Sequence, residues 1–184
     1  MNGVEAMNLF QTLERECPRR GLEFLIIGGH AVNEYGYSRE TFDLDLLTRR
    51  TQQDAWMIFL TELGFMLFVE HATFVQLKAP KHFVWPVDLM LVNDQTFAKM
   101  VAEAQAIQIG SARAKVPKLQ HLIALKVHAL KHTRIHRFMK DFQDVVGLID
   151  VNHLDVASLD LREIFQRYGT PDLYAKVAHS CSRD

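Results

Sequence analysis

Asp43 and Asp45 lie two residues apart in the apolar run Phe42-Asp43-Leu44-Asp45-Leu46-Leu47. Side chains alternate along a strand, so a strand here projects both carboxylates from one face and Phe42, Leu44 and Leu46 from the other. Two carboxylates about 5 Å apart repel by roughly 3 kcal/mol at an effective dielectric near 20, and burial adds a desolvation cost. A cation between them relieves both. The alternative is a half-exposed strand that happens to carry two acids, and the surrounding residues weigh against it.

A further apolar run, Val84-Trp85-Pro86-Val87-Asp88-Leu89-Met90-Leu91-Val92, carries Asp88 as its one charge. A lone charge in such a strand is rarely tolerated unless paired or coordinated. If this strand neighbours the first, three carboxylates converge. Together with water and phosphate oxygens they suit Mg²⁺, with Mn²⁺ as the substitute.

Upstream, Glu23-Phe24-Leu25-Ile26-Ile27 reads as a buried strand running into Gly28-Gly29, and residues 30–35 read as a helix. A glycine pair at such a turn lets backbone approach a ligand and aims amide N–H groups at an anion. Most glycine pairs only make a tight turn. Beside two metal-competent carboxylates, this one suggests a polyphosphate bridged to a divalent ion.

The elements that position these groups follow from periodicity. Residues 4–16 read as an amphipathic helix ended by Cys17-Pro18. Residues 51–63 read as a second, with Thr51 as N-cap and Gly64 beyond its end. Residues 65–69 and 73–78 form a strand pair, residues 94–104 a helix and residues 106–109 a short strand. From Pro117 onward the pattern is wholly helical. Ser158 caps a helix that Gly169 ends, and Thr170-Pro171 starts another. The predicted architecture is α/β (α+β): a small mixed sheet in residues 1–116 and a helical C-terminal subdomain in residues 117–184.

On the helix from Pro117 to Lys131, Lys126 falls within the apolar stripe of Leu119, Leu122, Ile123, Val127 and Leu130. A lysine there must snorkel, pair with a buried acid, or reach phosphate. The next helix turns Phe138, Phe142, Val145, Val146 and Ile149 inward, with Asp141 inside that arc, Asp144 at its edge and Lys140 outside it. Lys126 and Asp141 are therefore expected to meet. An ion pair of purely structural value is the competing reading.

No acid occurs between Glu103 and Asp141, whereas eight Lys and Arg do, from Arg113 to Lys140. This block is either an electrostatic footprint for nucleotide or RNA phosphate or a solvated basic face. His128, His132 and His136 recur at helical spacing, opposite the apolar stripe and without a carboxylate, and read as a solvated face rather than a zinc site. The 184 residues are 48% apolar, enough for one proper core, and the formal charge of −1 implies nothing about partners. Two cysteines, Cys17 and Cys181, make neither a disulfide framework nor a zinc site, which suggests a reducing cytoplasm. No segment reads as a membrane span or secretion signal.

Gly28-Gly29-His30-Ala31, Gly36, Arg39-Glu40-Thr41-Phe42-Asp43-Leu44-Asp45 and the later Asp88 together resemble the DNA polymerase beta-like nucleotidyltransferase superfamily. The Gly-Gly form and the Arg-x-Thr-x-Asp-x-Asp run look most like its AbiEii toxin-type minimal members, as do Lys126, Ala129, Arg134, Lys140-Asp141 and Asp144. The family's commoner Gly-Ser is Gly28-Gly29 here, so backbone amides carry more of any phosphate contact.

The resemblance implies transfer of a nucleoside monophosphate from an NTP to an RNA, tRNA or protein hydroxyl. Asp43 and Asp45 would hold Mg²⁺ or Mn²⁺, and Asp88 would complete a second site or help deprotonate the acceptor. Gly28, Gly29, Arg39, Thr41 and Lys126 would bind the nucleotide, with Asp141 orienting Lys126. A cognate toxin or antitoxin is the implied partner. A nucleotide- or RNA-binding antitoxin or regulator without turnover is the alternative.

Overall fold

The computed structural model describes the backbone of residues 2–132 and 135–181 and the side chains of residues 9–132 and 138–181. Arg134 and the side chains of His136 and Arg137, which enter the sequence patterns above, lie outside the described residues. The chain divides into two compact units. One comprises the residues up to Ala31 together with Glu40–Pro117, and the other Val32–Arg39 together with Lys118 onward.

The first unit is built on a mixed sheet of β1 (Leu25–Ile26), β2 (Leu44–Arg49), β3 (Met66–His71), β4 (Phe74–Lys78) and β5 (Val87–Val92), in spatial order β1-β2-β5-β4-β3. Only β2 and β5 run parallel. The β5 residues alternate between buried Val87, Leu89 and Leu91 and half-buried Asp88, Met90 and Val92, so one face is core and the other partly open. Leu44, Leu46, Val75 and Leu77 extend the buried set across β2 and β4.

Around the sheet lie α1 (Asn2–Arg19), α3 (Gln53–Glu62), α4 (Asp94–Ala102) and the hairpin β6 (Gln105–Ile109) and β7 (Ala112–Val116). Helix α1 meets the hairpin through Gln11 Nε2, which donates to Ser111 Oγ at 2.6 Å, and an Arg113–Glu14 ion pair at 2.9 Å. Trp56 of α3 is fully buried; its Nε1 donates to Thr48 Oγ1 at 2.8 Å, and that hydroxyl donates to the Glu23 carbonyl at 2.9 Å.

Several local expectations need correction. Helix α1 continues through Pro18 to Arg19, because a proline in the last turn removes a single N–H. Thr51 does not cap α3: it lies in a 3₁₀ turn, Arg50–Gln52, and donates to Asp94 Oδ1 at 2.8 Å. Strand β7 was not anticipated, since alternating alanines and cations give little apolar signal, although Ala112 and Val116 are fully buried. Phe42 lies outside β2 and is 72% exposed rather than packed on its apolar face.

The second unit contains α5 (Leu119–His132), α6 (Ile135–Val151), α7 (Leu159–Tyr168) and α8 (Pro171–Cys181). Leu122, Ile123, Val127, Leu130, Val145, Leu148, Ile149, Leu161, Phe165 and Val177 form its core. Ser158 Oγ accepts the Leu161 N–H and Thr170 Oγ1 that of Leu173, which makes them the caps of α7 and α8. Residues 32–39 pack onto α6. A Cβ at Gly147 would fall 2.4 Å from the Tyr37 ring, and Asn152 Nδ2 donates to the Tyr35 carbonyl at 3.0 Å.

Candidate metal centre

Strand β2 begins at Leu44, so Asp43 sits on its approach and Asp45 within it. The parallel pairing sets Asp45 directly beside Asp88 of β5, and Leu44 N–H donates to the Pro86 carbonyl at 2.9 Å, extending the pairing toward Asp43. Register neighbours share a face. The three half-buried carboxylates each offer an oxygen, and these oxygens lie within 4.8 Å of one another.

The donor set suits a hard divalent cation. Ligands on one Mg²⁺ at about 2.1 Å stand up to about 4.2 Å apart. A cluster spanning at most 4.8 Å closes onto an ion with small carboxylate movements.

Neighbouring groups set these carboxylates. Thr41 Oγ1 donates toward Asp43 Oδ1 at 3.2 Å, and Gln76 Nε2 of β4 donates to Asp88 Oδ2 at 2.6 Å. Ile27 N–H donates to the Asp45 carbonyl at 2.9 Å, which ties the end of β1 to the acidic strand. The helix α2 (Gly28–Glu34) starts at once, two residues earlier than anticipated. Gly28 has φ +61°, and a Cβ there would stand 1.8 Å from Asp45 Oδ2. Glycine is thus required twice over, for its conformation and for the space that Asp45 occupies. His30 packs edge-on to Trp85, with ring centroids 4.7 Å apart, and Phe10 lies 5.5 Å away.

In the helical unit, Lys126 Nζ meets Asp141 Oδ1 at 2.7 Å, as the two helical patterns anticipate, and also Asp144 Oδ2 at 2.7 Å. Asp144 is fully buried and accepts Arg39 Nε at 2.6 Å and Nη2 at 2.9 Å. The edge-of-arc placement therefore underrated Asp144, which is the centre of the cluster. Burial alone would raise its carboxyl pKa, but the Arg39 hydrogen bonds and the Lys126 charge outweigh this and hold it below the ordinary value. For Lys126, burial acts downward, and the charges of Asp141 and Asp144 overcome it, so its pKa lies above the ordinary value.

Other expectations fall out simply. The cationic block is spread over β7, α5 and α6, and Arg113 and Lys126 are already paired. His128 and His132 are exposed, and neither joins a metal-competent group among the described residues. Burial pushes the Cys17 thiol up to about 12; burial, then Asp150, does the same for Cys181. Both stay protonated and unreactive at neutral pH. Among the described residues no helix is long and apolar enough to cross a membrane.

No family model matches the chain, and no curated protein sequence matches it significantly. Solved structures do match in fold. The solution structure of the antibiotic-resistance factor ANT(2'')-Ia aligns over 97% of this chain and 97% of its own, with a TM-score of 0.69 at 13% identity. The lincomycin-bound lincosamide antibiotic adenylyltransferase LnuA aligns over 81% of this chain and 97% of its own, with a TM-score of 0.56 at 12% identity. An antigenic nucleotidyltransferase-like protein from Paracoccidioides brasiliensis aligns over 98% and 94%, with a TM-score of 0.55 at 14% identity. The chain therefore has the fold of nucleotidyltransferase-like proteins.

Proposed function

We propose that the protein is a metal-dependent nucleotidyltransferase that moves a nucleoside monophosphate from an NTP to an acceptor hydroxyl. The observation that carries this reading is the Asp45–Asp88 register pair with Asp43 beside it, three carboxylates converging within 4.8 Å on a nucleotidyltransferase-like fold. Asp43, Asp45 and Asp88 would hold Mg²⁺ or Mn²⁺. When bound, such an ion neutralises phosphate charge and makes the α-phosphorus more electrophilic.

The acceptor oxygen forms a bond to the α-phosphorus while the α–β bridging bond breaks and pyrophosphate departs. The hydroxyl proton leaves to Asp88 or to water. The main-chain N–H groups of Gly28 and Gly29 are assigned to phosphate, and Thr41 positions Asp43 through its hydroxyl. The nucleotide-binding roles implied for Arg39, Lys126 and Asp141 belong to the same proposal. Within the helical unit the two cations are held in fixed poses by Asp141 and Asp144. The AbiEii-like subtype, with a toxin or antitoxin as partner, rests on the Arg39-x-Thr41-x-Asp43-x-Asp45 run.

Structural neighbours include an adenylyltransferase for lincosamide antibiotics and a protein bound to adenylyl-2''-tobramycin. Hydroxylated antibiotics therefore stand beside RNA and protein as acceptors to test. Each α-labelled NTP is incubated with Mg²⁺ and an aminoglycoside, a lincosamide, total RNA or cell protein. Labelled product and pyrophosphate are expected with one class, and Asp45→Asn is expected to abolish both. Nucleotide and Mn²⁺ binding without pyrophosphate release from any NTP, whichever acceptor is present, would instead establish the non-catalytic binding protein.

A further inference from the structure

Gln76 stands opposite Asp88 in the antiparallel β4–β5 pair, and its amide reaches the carboxylate at 2.6 Å. Its strand neighbours Val75 and Leu77 are fully buried or nearly so, which locks the register of β4. A slip of one residue would bury Gln76 and expose both, so the amide cannot be carried away from Asp88 without unmaking the core. Directly opposed side chains have Cβ atoms about 5 Å apart. A glutamine spans that gap and still presents Nε2 to the carboxylate.

We infer that Gln76 is a positioning residue for the metal centre, fixing the plane of the Asp88 carboxylate so that it serves as a ligand of the shared ion. This rests on the nucleotidyltransferase reading through the metal site, and it adds a residue that the acidic motif does not contain. Asp45 and Asp88 are set by strand register, but register fixes only Cα and Cβ. A carboxylate still turns about its own bonds, and a directional contact to one oxygen fixes where the other points. Asp43 receives the same kind of support from the Thr41 hydroxyl at 3.2 Å. Gln76 gives Asp88 a shorter contact, from a strand rather than a loop.

The packing gives no other reason for a glutamine at this position. Phe74 and Lys78, two residues away on either side along the same face of β4, are exposed. An apolar side chain at residue 76 would satisfy the half-buried sheet position on packing grounds alone. A glutamine donates to a carboxylate without bringing a charge that would compete with the ion.

Mn²⁺ affinity, read by electron paramagnetic resonance and calorimetry on the full chain, tests the inference. Gln76→Leu and Gln76→Met, which keep the bulk and lose the donor, are expected to weaken Mn²⁺ binding about tenfold. Melting temperature measured without metal should stay close to wild type. In an Asp88→Asn background the same changes should have little further effect, because the residue acts through Asp88. Unchanged Mn²⁺ affinity in both variants, or an equal loss with and without Asp88, would overturn the positioning role alone. Wild-type protein that binds Mn²⁺ no better than Asp43→Asn and Asp45→Asn would instead remove the metal site, and the inference with it.

Discussion

The Asp144 carboxylate grips the Arg39 guanidinium with both oxygens, Nε to Oδ1 at 2.6 Å and Nη2 to Oδ2 at 2.9 Å. Because Lys126 meets the same carboxylate, Asp144 balances two cations, with Asp141 sharing the second. Asp144→Asn keeps the shape and removes the charge. It should cost about 3 to 5 kcal/mol in urea unfolding, since both cations lose a buried partner. The pH dependence follows from the shifts. Asp144 is held below its ordinary 3.8, so its contribution is complete above that value and is lost as pH falls further, through the folded-state value. Lys126 lies above its ordinary 10.5, so its contribution is complete below that pH and is lost only as pH rises beyond it. The gap in stability between wild type and Asp144→Asn should therefore be flat across neutral pH and narrow below about pH 4.

Gly28 offers a test with an internal control. Gly21 and Gly28 have nearly the same positive φ, +65° and +61°, but a Cβ at Gly21 meets nothing within 4 Å while one at Gly28 collides with Asp45. Gly21→Ala should cost about 1 to 2 kcal/mol, the strain of a left-handed alanine. Gly28→Ala carries that strain and also displaces the carboxylate. Its thermal midpoint should fall further, and Mn²⁺ binding by calorimetry should weaken as severely as in Asp45→Asn. Equal Mn²⁺ affinity in the two alanine variants would show that the close approach has no bearing on the metal site.

The acidic trio was legible because a charge inside an apolar strand is costly enough to stand out as a pattern. What closes the trio was not. Asp45 and Asp88 are brought level by a parallel pairing between strands some forty residues apart, and no local periodicity encodes that register. Gln76 is an unremarkable strand residue until β4 is laid against β5. Asp144 was underrated for a related reason. A helical arc counts apolar neighbours, whereas Asp144 is buried because Arg39, 105 residues earlier, comes to meet it. The Lys126–Asp141 contact was readable, since both residues interrupt the apolar faces of adjacent helices.

A buried relay beside the sheet yields a stability test away from the metal. Thr48 stands between the Trp56 indole and the Glu23 carbonyl, and Thr48 and Trp56 are both fully buried. Thr48→Val has nearly the same shape and neither donates nor accepts. The buried indole N–H then loses its acceptor, which costs about 1 to 3 kcal/mol. Urea unfolding followed by tryptophan fluorescence should show that loss. Thr48→Ser, which keeps the hydroxyl and loses a methyl group, should recover most of it; a Thr48→Ser variant no more stable than Thr48→Val would assign the effect to packing.

The three acids should also make the metal-free protein less stable than its core allows. Half-buried carboxylates with oxygens inside 4.8 Å repel in every pairing, and sheet register keeps the Cα and Cβ atoms of Asp45 and Asp88 level, so side-chain rotation alone can relieve the strain. Asp45→Asn removes two of the three repulsions. Each is worth up to about 3 kcal/mol at an effective dielectric near 20 before solvent screening, so a net gain of about 1 kcal/mol is expected in EDTA. In saturating Mn²⁺ the order should reverse, because binding to the folded state stabilises wild type by about 2.7 kcal/mol at a hundredfold excess over Kd and the variant by much less. Thermal melts of both proteins in EDTA and in Mn²⁺ check this crossover. A wild type that melts at the same temperature in both buffers would mean that the carboxylates share no ion, and that their proximity has some other origin.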